Sequence, residues 1–355
     1  MHFHRTWHQS YPAGVPKEPE YEMITLPEAL TRTAGRFPEN PALNLMGRTI
    51  SFHELDSLVN RFARALSDLG VSPGDRVAML LPNIPQVVIA NYAAFRIGAV
   101  TALNNPLYTE RELTHQLNTS GAKILITLDL LHSMAVKLLE TTTVEQIIVC
   151  RLQDYLPPSL AGPAQEIAPR EDTVMFSDLL ERHPDDPVEN AAQWEAVGAH
   201  LYTGGTTGVS KGVMLTHANM SCNTQQLRAA LPSAVDGQET TVGIFPFFHS
   251  AGFTGVQNLG IWSGWQVLLV PRPEPDVIIQ ILKNFKPTFF PAVPTIYFGL
   301  LSKEEFKDLD LGGIKAFMAG AAPLPENVIA QLKKLSDAPV LNIYGLTEIC
   351  PMGTA

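Results

Sequence analysis

An α/β fold, with two sheets of parallel type flanked by helices, is what the 355-residue sequence predicts. Three features lead there: apolar runs of strand length recur along the chain, amphipathic helical stretches alternate with them, and glycine or proline marks the junctions. Alternating strands and helices imply crossover connections, and crossovers imply parallel strands covered on both faces.

Taken in order, Ser51-Phe-His-Glu54 reads as a capping box opening a helix in which Leu55, Leu58, Val59, Phe62, Leu66 and Leu69 recur at helical spacing before Gly70 stops it. Pro73-Gly74-Asp75 turns into a strand at 76–81, followed by a helix from about 86 to 97 that Gly98 ends, and a strand at 99–103. Thr109-Glu-Arg-Glu112 is a second capping box, for a helix ending near Gly121; strands at 123–127 and 146–150 follow, with a helix between them. From 151 to 195 six prolines and weak periodicity predict a surface excursion with one short helix. Strands near 199–202, 241–245, 266–269, 288–290, 315–319 and 340–343, and helices near 217–230, 276–285 and 326–335, then predict a second sheet.

Composition narrows the function classes. With 25 Lys+Arg against 35 Asp+Glu, the formal charge of -10 offers no global field for nucleic acid or acidic lipid. Cys150, Cys222 and Cys350 are odd in number and far apart, which argues against a disulfide framework or clustered zinc and fits a reducing cytoplasm. The N-terminal residues lack a secretory pattern, and His2, His4 and His8 read as a solvated terminus. The apolar stretch 243–270 is interrupted by Pro246, His249, Gln257 and Asn258, so it is expected to be buried core rather than an integral membrane segment.

The most informative run is Leu201-Tyr-Thr-Gly-Gly-Thr-Thr-Gly-Val-Ser-Lys-Gly212, with four glycines, three threonines and a lysine. Glycines let backbone N–H groups turn inward, hydroxyls add donors and lysine brings positive charge, the composition of a phosphate-wrapping loop. The P-loop NTPase spacing is not met, because Ser210 precedes Lys211 and Gly212 follows it. Gly208-Val-Ser-Lys-Gly212 also matches the G-x-S-x-G elbow of serine hydrolases, which leaves Ser210 as an alternative nucleophile; yet that elbow needs a helix leaving at once, and 213–215 reads as a returning strand. A glycine-rich hairpin without function is the third reading.

Together with Gly320-Ala-Ala-Pro-Leu-Pro325 and Asn342-Ile-Tyr-Gly-Leu-Thr-Glu348, the loop at 203–212 resembles the ordered signatures of adenylate-forming enzymes. Tyr11-Pro-Ala-Gly-Val-Pro16, Asn105-Pro-Leu-Tyr-Thr-Glu-Arg-Glu-Leu113 and His115-Gln-Leu-Asn118 narrow the resemblance to bacterial long-chain fatty-acid CoA ligases. It runs from about residue 7 to the last residue.

The resemblance implies a fatty-acid carboxylate attacking ATP to give an acyl-adenylate, then coenzyme A displacing AMP. By the same resemblance, Thr203, Gly204, Gly205, Thr206, Thr207, Gly208 and Lys211 hold the phosphates. Gly320, Ala321, Ala322, Asn342 and Gly345 line the nucleotide, Tyr344 stacks on adenine and Thr347 touches the α-phosphate. Magnesium bridges phosphate oxygens to Glu348 and the Thr203 hydroxyl, His249 lies beside the carboxylate, and Phe253 matches an aromatic gating the acyl tunnel. On residues alone, His249, Tyr344, Phe253 and the aromatics Phe247, Phe248, Trp262 and Trp265 read equally as core, and an isolated Glu348 as an exposed carboxylate.

Expected units are a first αβ subdomain at about 75–225 and a second at about 25–70 plus 230–355, within an incomplete AMP-binding region over 1–355. Relative to the family's pattern, Ser210 stands where proline or a small residue is usual, and the barrel-like subdomain and lysine-bearing C-terminal domain are largely missing. The expectation is therefore a truncated ligase, weak or inactive by itself, with small-molecule substrates and at most peripheral membrane contact. A non-catalytic nucleotide-binding scaffold is the remaining alternative.

Overall fold

The computed structural model describes residues 5–203 and 210–354. Two seven-stranded sheets form its frame. Across the first, the strands run Thr173–Met175, Gln146–Cys150, Ile124–Leu128, Arg76–Leu80, Val100–Leu103, Val197–Thr203 and Lys211–Thr216, parallel except for the last. Across the second they run Val340–Asn342, Ala316–Ala319, Phe289–Ala292, Thr240–Gly243, Gln266–Leu269, Pro41–Leu45 and Arg48–Ser51, again parallel except for the last. Each sheet thus ends in one antiparallel hairpin.

Local chemistry explains the helix boundaries. Ser51 Oγ accepts from the Glu54 N–H at 3.1 Å, starting the helix Phe52–Asp68, and Gly70 beyond it takes φ +84°. At Glu110–Ser120 the Thr109 N–H donates to Glu112 Oε2 at 2.8 Å in a reciprocal box, and Gly121 closes the helix in the left-handed region. The 151–195 stretch contains the helix Phe176–Arg182 and, beyond expectation, the strand Thr173–Met175, which pairs with Gln146–Cys150. Three residues are too few to show a period in sequence.

Strand side chains alternate between cores, as the two-residue period demands. Val77 and Met79 from the first sheet and Leu43, Leu45 and Val267 from the second enter one shared inner core. Ala78 and Leu80 face Leu113 and Leu117 on one outer side, while Val242 and Leu268 join Ile278 and Leu282 on the other. Within the inner core every residue of the helix Pro85–Arg96 is buried. Several of its polar groups find partners: Asn91 Nδ2 donates to Gln257 Oε1 at 3.1 Å, Tyr92 OH to Asn258 Oδ1 at 3.1 Å, and Arg96 Nη2 to Asp56 Oδ1 at 2.7 Å.

The apolar stretch 243–270 is core as expected. It folds into the short helix Ser250–Gly252, the π-helical turn Phe253–Asn258 and the helix Leu259–Ser263. Among the described residues no helix is long and apolar enough to cross a membrane.

Candidate active site

A cavity of about 450 Å³ opens beyond the carboxyl ends of the second sheet's strands, where open parallel sheets characteristically bind ligands. The first sheet's hairpin contributes Thr203 and Lys211, which are register partners. The segment after Thr240–Gly243 contributes Phe245, His249 and Ser250. Gly320 and Ala321 follow the strand Ala316–Ala319, and Gly345, Thr347 and Glu348 come from the last hairpin. The glycine-rich hairpin and the Thr-Glu element, remote in sequence, therefore share one cleft.

Each wall is held by identifiable contacts. His249 caps the helix Ser250–Gly252, its Nδ1 accepting from the Ala251 N–H at 3.2 Å, which puts the neutral ring's proton on Nε2. Although the ring opens onto the cavity, the surrounding walls strip enough water to hold its pKa below the ordinary histidine value. Thr347 is buried, with its Oγ1 3.3 Å from Ser250 Oγ. Glu348 lies in the 3-10 turn Thr347–Ile349 and is exposed. Behind that turn Cys350 Sγ is 3.7 Å from Thr254 Oγ1, and burial pushes its thiol up to about 12, so it is an inert packing group.

The last hairpin pairs Tyr344–Gly345 with Met352–Thr354. Asn223 holds it from the side, donating to the Met352 carbonyl at 2.9 Å and accepting the Met352 N–H at 3.2 Å. At Gly345 a Cβ would lie 1.9 Å from the Pro351 carbonyl oxygen, so only glycine fits.

Lys211 is exposed, and Ser210 before it is anchored to the helix Glu110–Ser120. Gln116 Nε2 donates to Ser210 Oγ at 3.3 Å, His115 Nε2 lies 3.1 Å from the Ser210 carbonyl oxygen, and Tyr202 OH donates to the Gln116 carbonyl at 2.6 Å. The imidazole thus meets the Ser210 backbone rather than its hydroxyl. What leaves Ser210 is the strand Lys211–Thr216, with the helix His217–Ala229 only afterwards. Neither geometry is that of a nucleophile elbow.

Of the residues singled out in the sequence, Gly204, Gly205, Thr206, Thr207 and Gly208 lie outside the described residues. Thr203, Lys211, His249, Gly320, Ala321, Gly345, Thr347 and Glu348 share the cavity wall. Ala322, Asn342, Tyr344 and Phe253 are not among its lining residues. Asn342 Oδ1 instead accepts the Leu324 N–H at 3.2 Å and steadies the 320–325 loop, while Tyr344 is 65% exposed on the hairpin. Phe253 is fully buried, edge-on to Phe95 at 6.1 Å. Trp265 stacks on Phe289 at 5.0 Å and Trp262 lies under the Arg32 guanidinium at 4.4 Å, so both are packing residues. The sequence alone assigned no role to Ser250 or Asn223, whose only signal is a polar side chain inside an element, and none to Gln116 beyond its place in the His115–Asn118 motif.

Thr203 and Glu348 offer hydroxyl and carboxylate oxygens to the same cavity, a donor set suited to a hard divalent cation. Among the described residues no group of three or more His, Cys, Asp or Glu is arranged to hold a metal. The set therefore fits an ion whose remaining ligands come from a bound anion and water.

Residues 30–355 match the family model described as AMP-binding enzyme. A long-chain-fatty-acid–CoA ligase of Bacillus subtilis (strain 168) is 35% identical over 363 residues, covering 99% of this chain and 65% of the relative. The enzyme of the same description from Salmonella typhimurium is 33% identical over 365 residues, covering 98% of this chain and 65% of its own length. The chain thus spans less than two-thirds of these curated relatives. Among solved structures, a long-chain-fatty-acid-CoA ligase from Archaeoglobus fulgidus matches with a TM-score of 0.83 and 29% identity, over 97% of this chain and 68% of that one.

Proposed function

The chain belongs to the AMP-binding enzyme family, and on that premise we propose that it is the nucleotide- and acyl-binding part of a fatty-acid CoA ligase. In the first step a carboxylate oxygen of the fatty acid attacks the α-phosphorus of ATP; the bond to the bridging oxygen breaks, giving acyl-adenylate and pyrophosphate. In the second, the sulfur of coenzyme A attacks the acyl carbon, the carbon–oxygen bond to AMP breaks, and the thiol proton is released. The two sheets are read as the two αβ subdomains that enclose these substrates.

The observation that carries this reading is the single cavity shared by Thr203, Lys211, His249, Thr347 and Glu348. A carboxylate is a weak nucleophile and the triphosphate a dense anion, so rate must come from orientation and charge neutralisation. Lys211 supplies positive charge at the phosphates, and Thr347 donates towards the α-phosphate. His249, neutral with its proton on Nε2, is suited to hold the carboxylate by donating a hydrogen bond. Thr203 and Glu348 would hold magnesium, which, when bound, offsets phosphate charge. The apolar side chains Leu227, Met318 and Met352 at the same cavity suit an acyl chain. Free thiols at Cys150, Cys222 and Cys350 support a cytoplasmic setting, with any membrane contact peripheral.

Titration calorimetry with Mg-ATP on the wild type, Lys211→Ala and Glu348→Ala tests the site, alongside pyrophosphate exchange with a fatty-acid series. Either substitution should weaken binding at least about tenfold, a loss of the size a charge-assisted contact supplies. Unchanged affinity in both variants removes the nucleotide from this cavity. It would leave a scaffold as the better description.

A further inference from the structure

The loop leaving the first sheet's strand Arg76–Leu80 reaches across to the segment that carries His249. Asn83, 3% exposed, donates from Nδ2 to the Gly243 carbonyl at 2.8 Å and to the Phe245 carbonyl at 2.9 Å, and its Oδ1 accepts the Phe247 N–H at 2.8 Å. One side chain thus satisfies three backbone groups along the stretch between the strand Thr240–Gly243 and the histidine. All three bonds lie in the buried interior, where an unmatched backbone group is costly, so the amide sets where that stretch runs.

The stretch in turn sets the ring. The Pro246 carbonyl accepts the His249 N–H at 3.0 Å, and the His249 carbonyl accepts the Phe253 N–H at 2.9 Å. A Cβ at Gly252 would sit 2.2 Å from the Pro246 carbonyl oxygen and 2.4 Å from that of Phe245, so the helix start is pressed directly on the turn. Between Asn83 and the imidazole there is no slack element: amide, turn, helix start and ring are in series. The same amide also ties together the central strands of two different sheets at their carboxyl ends.

From this geometry we infer that Asn83 is the positioning residue for His249, acting through the 243–247 turn without touching substrate. The inference rests on the ligase reading for its kinetic consequence but not for its structural one.

Two readouts separate these. Histidine-labelled NMR follows the His249 ring signal, assigned with His249→Gln; Asn83→Ala should move it while leaving the His115 and His200 signals in place. In pyrophosphate exchange, Asn83→Ala should lower kcat roughly 10–100-fold with the KM for ATP within about twofold, the loss expected from sub-ångström misplacement of a reacting group. The double variant Asn83→Ala/His249→Ala should be no more than about twofold worse than His249→Ala alone, since groups acting in series are non-additive. Should Asn83→Ala fail to fold, Asn83→Ser, which keeps one hydroxyl for the turn, takes its place in the same cycle. An unmoved ring signal, or multiplicative losses in the double variant, overturns the inference. If the wild type exchanges no pyrophosphate, as a ligase lacking part of its relatives' length would, the ring signal decides Asn83 alone and Mg-ATP calorimetry decides the ligase reading.

Discussion

The two sheets end alike, in an antiparallel edge hairpin, yet the segments that close those hairpins differ in length. In the second sheet Leu45 pairs with Arg48, and only Met46 and Gly47, at φ +51° and +104°, make the turn. Asn44 braces it, Oδ1 accepting the Gly47 N–H at 3.0 Å and Nδ2 donating to Thr49 Oγ1 at 2.9 Å. This is the geometry a right-twisted ribbon prefers. In the first sheet Thr203 pairs with Lys211, and residues 204–210 intervene. Closing a hairpin takes two residues. The seven residues between Thr203 and Lys211 therefore exceed what closure needs, and the proposed phosphate contact gives the surplus a use.

The largest expected effect comes from making the two turns equal. Replacing residues 204–210 with Asn-Gly should abolish detectable Mg-ATP binding by calorimetry while thermal melting stays within about 5 °C of the wild type. A shortened protein that still binds nucleotide would break the comparison.

Second in size is an acid sensitivity to which the first hairpin's exit contributes most. His217 begins the helix after Lys211–Thr216, is 1% exposed and lies edge-on to Phe95; burial drives its pKa to about 4, with Glu28 opposing weakly. The folded-state value lies below the ordinary 6.5, so the unfolded chain binds the extra proton first. Its contribution is full above about pH 6.5, declines as pH falls, and is gone below about 4, amounting to ~3 kcal/mol. Urea unfolding at pH 7 and pH 4.5 should show this loss, and His217→Phe should reduce it, leaving the smaller share of the other depressed histidines such as His249.

Next, Gly47→Val should destabilise by ~2 kcal/mol in urea melts with nucleotide affinity unchanged, because a branched side chain at φ +104° is strained whatever the space around it. If nucleotide binding fell as well, the second hairpin would not be purely structural. Smallest is Ser210→Ala, which removes the Gln116 contact: stability should change by less than about 1 kcal/mol, Mg-ATP affinity by less than about fivefold, and esterase activity not at all. Loss of an esterase activity in this variant would revive the hydrolase reading.

These contrasts mirror what was legible beforehand. Wherever a cap and a period coincide, as at Ser51, Thr109 and Gly121, element type and end were readable because the information is local. The Met46-Gly47 turn escaped notice, for methionine at positive φ carries no local signature. Within the site, Thr203 and Lys211 reached the cavity from facing strands of one hairpin and Glu348 from the 3-10 turn of another. Tyr344, Asn342 and Phe253 did not, since their side-chain directions depend on packing partners distant in sequence. Asn83 is the plainest case. It stands between Pro82 and Pro85 as a lone polar residue, and its three acceptors and donors all lie more than a hundred residues away.

The helix Pro85–Arg96, with no residue at the surface, has a consequence for how the molecule can be divided. Cutting the chain in the 151–195 excursion should yield two pieces that remain associated, because separating them uncovers an apolar cylinder and parts Asn91 from Gln257 and Tyr92 from Asn258. Neither half is expected to be expressible alone as a soluble body, and split-protein reporters built on this chain should reassemble spontaneously rather than on demand.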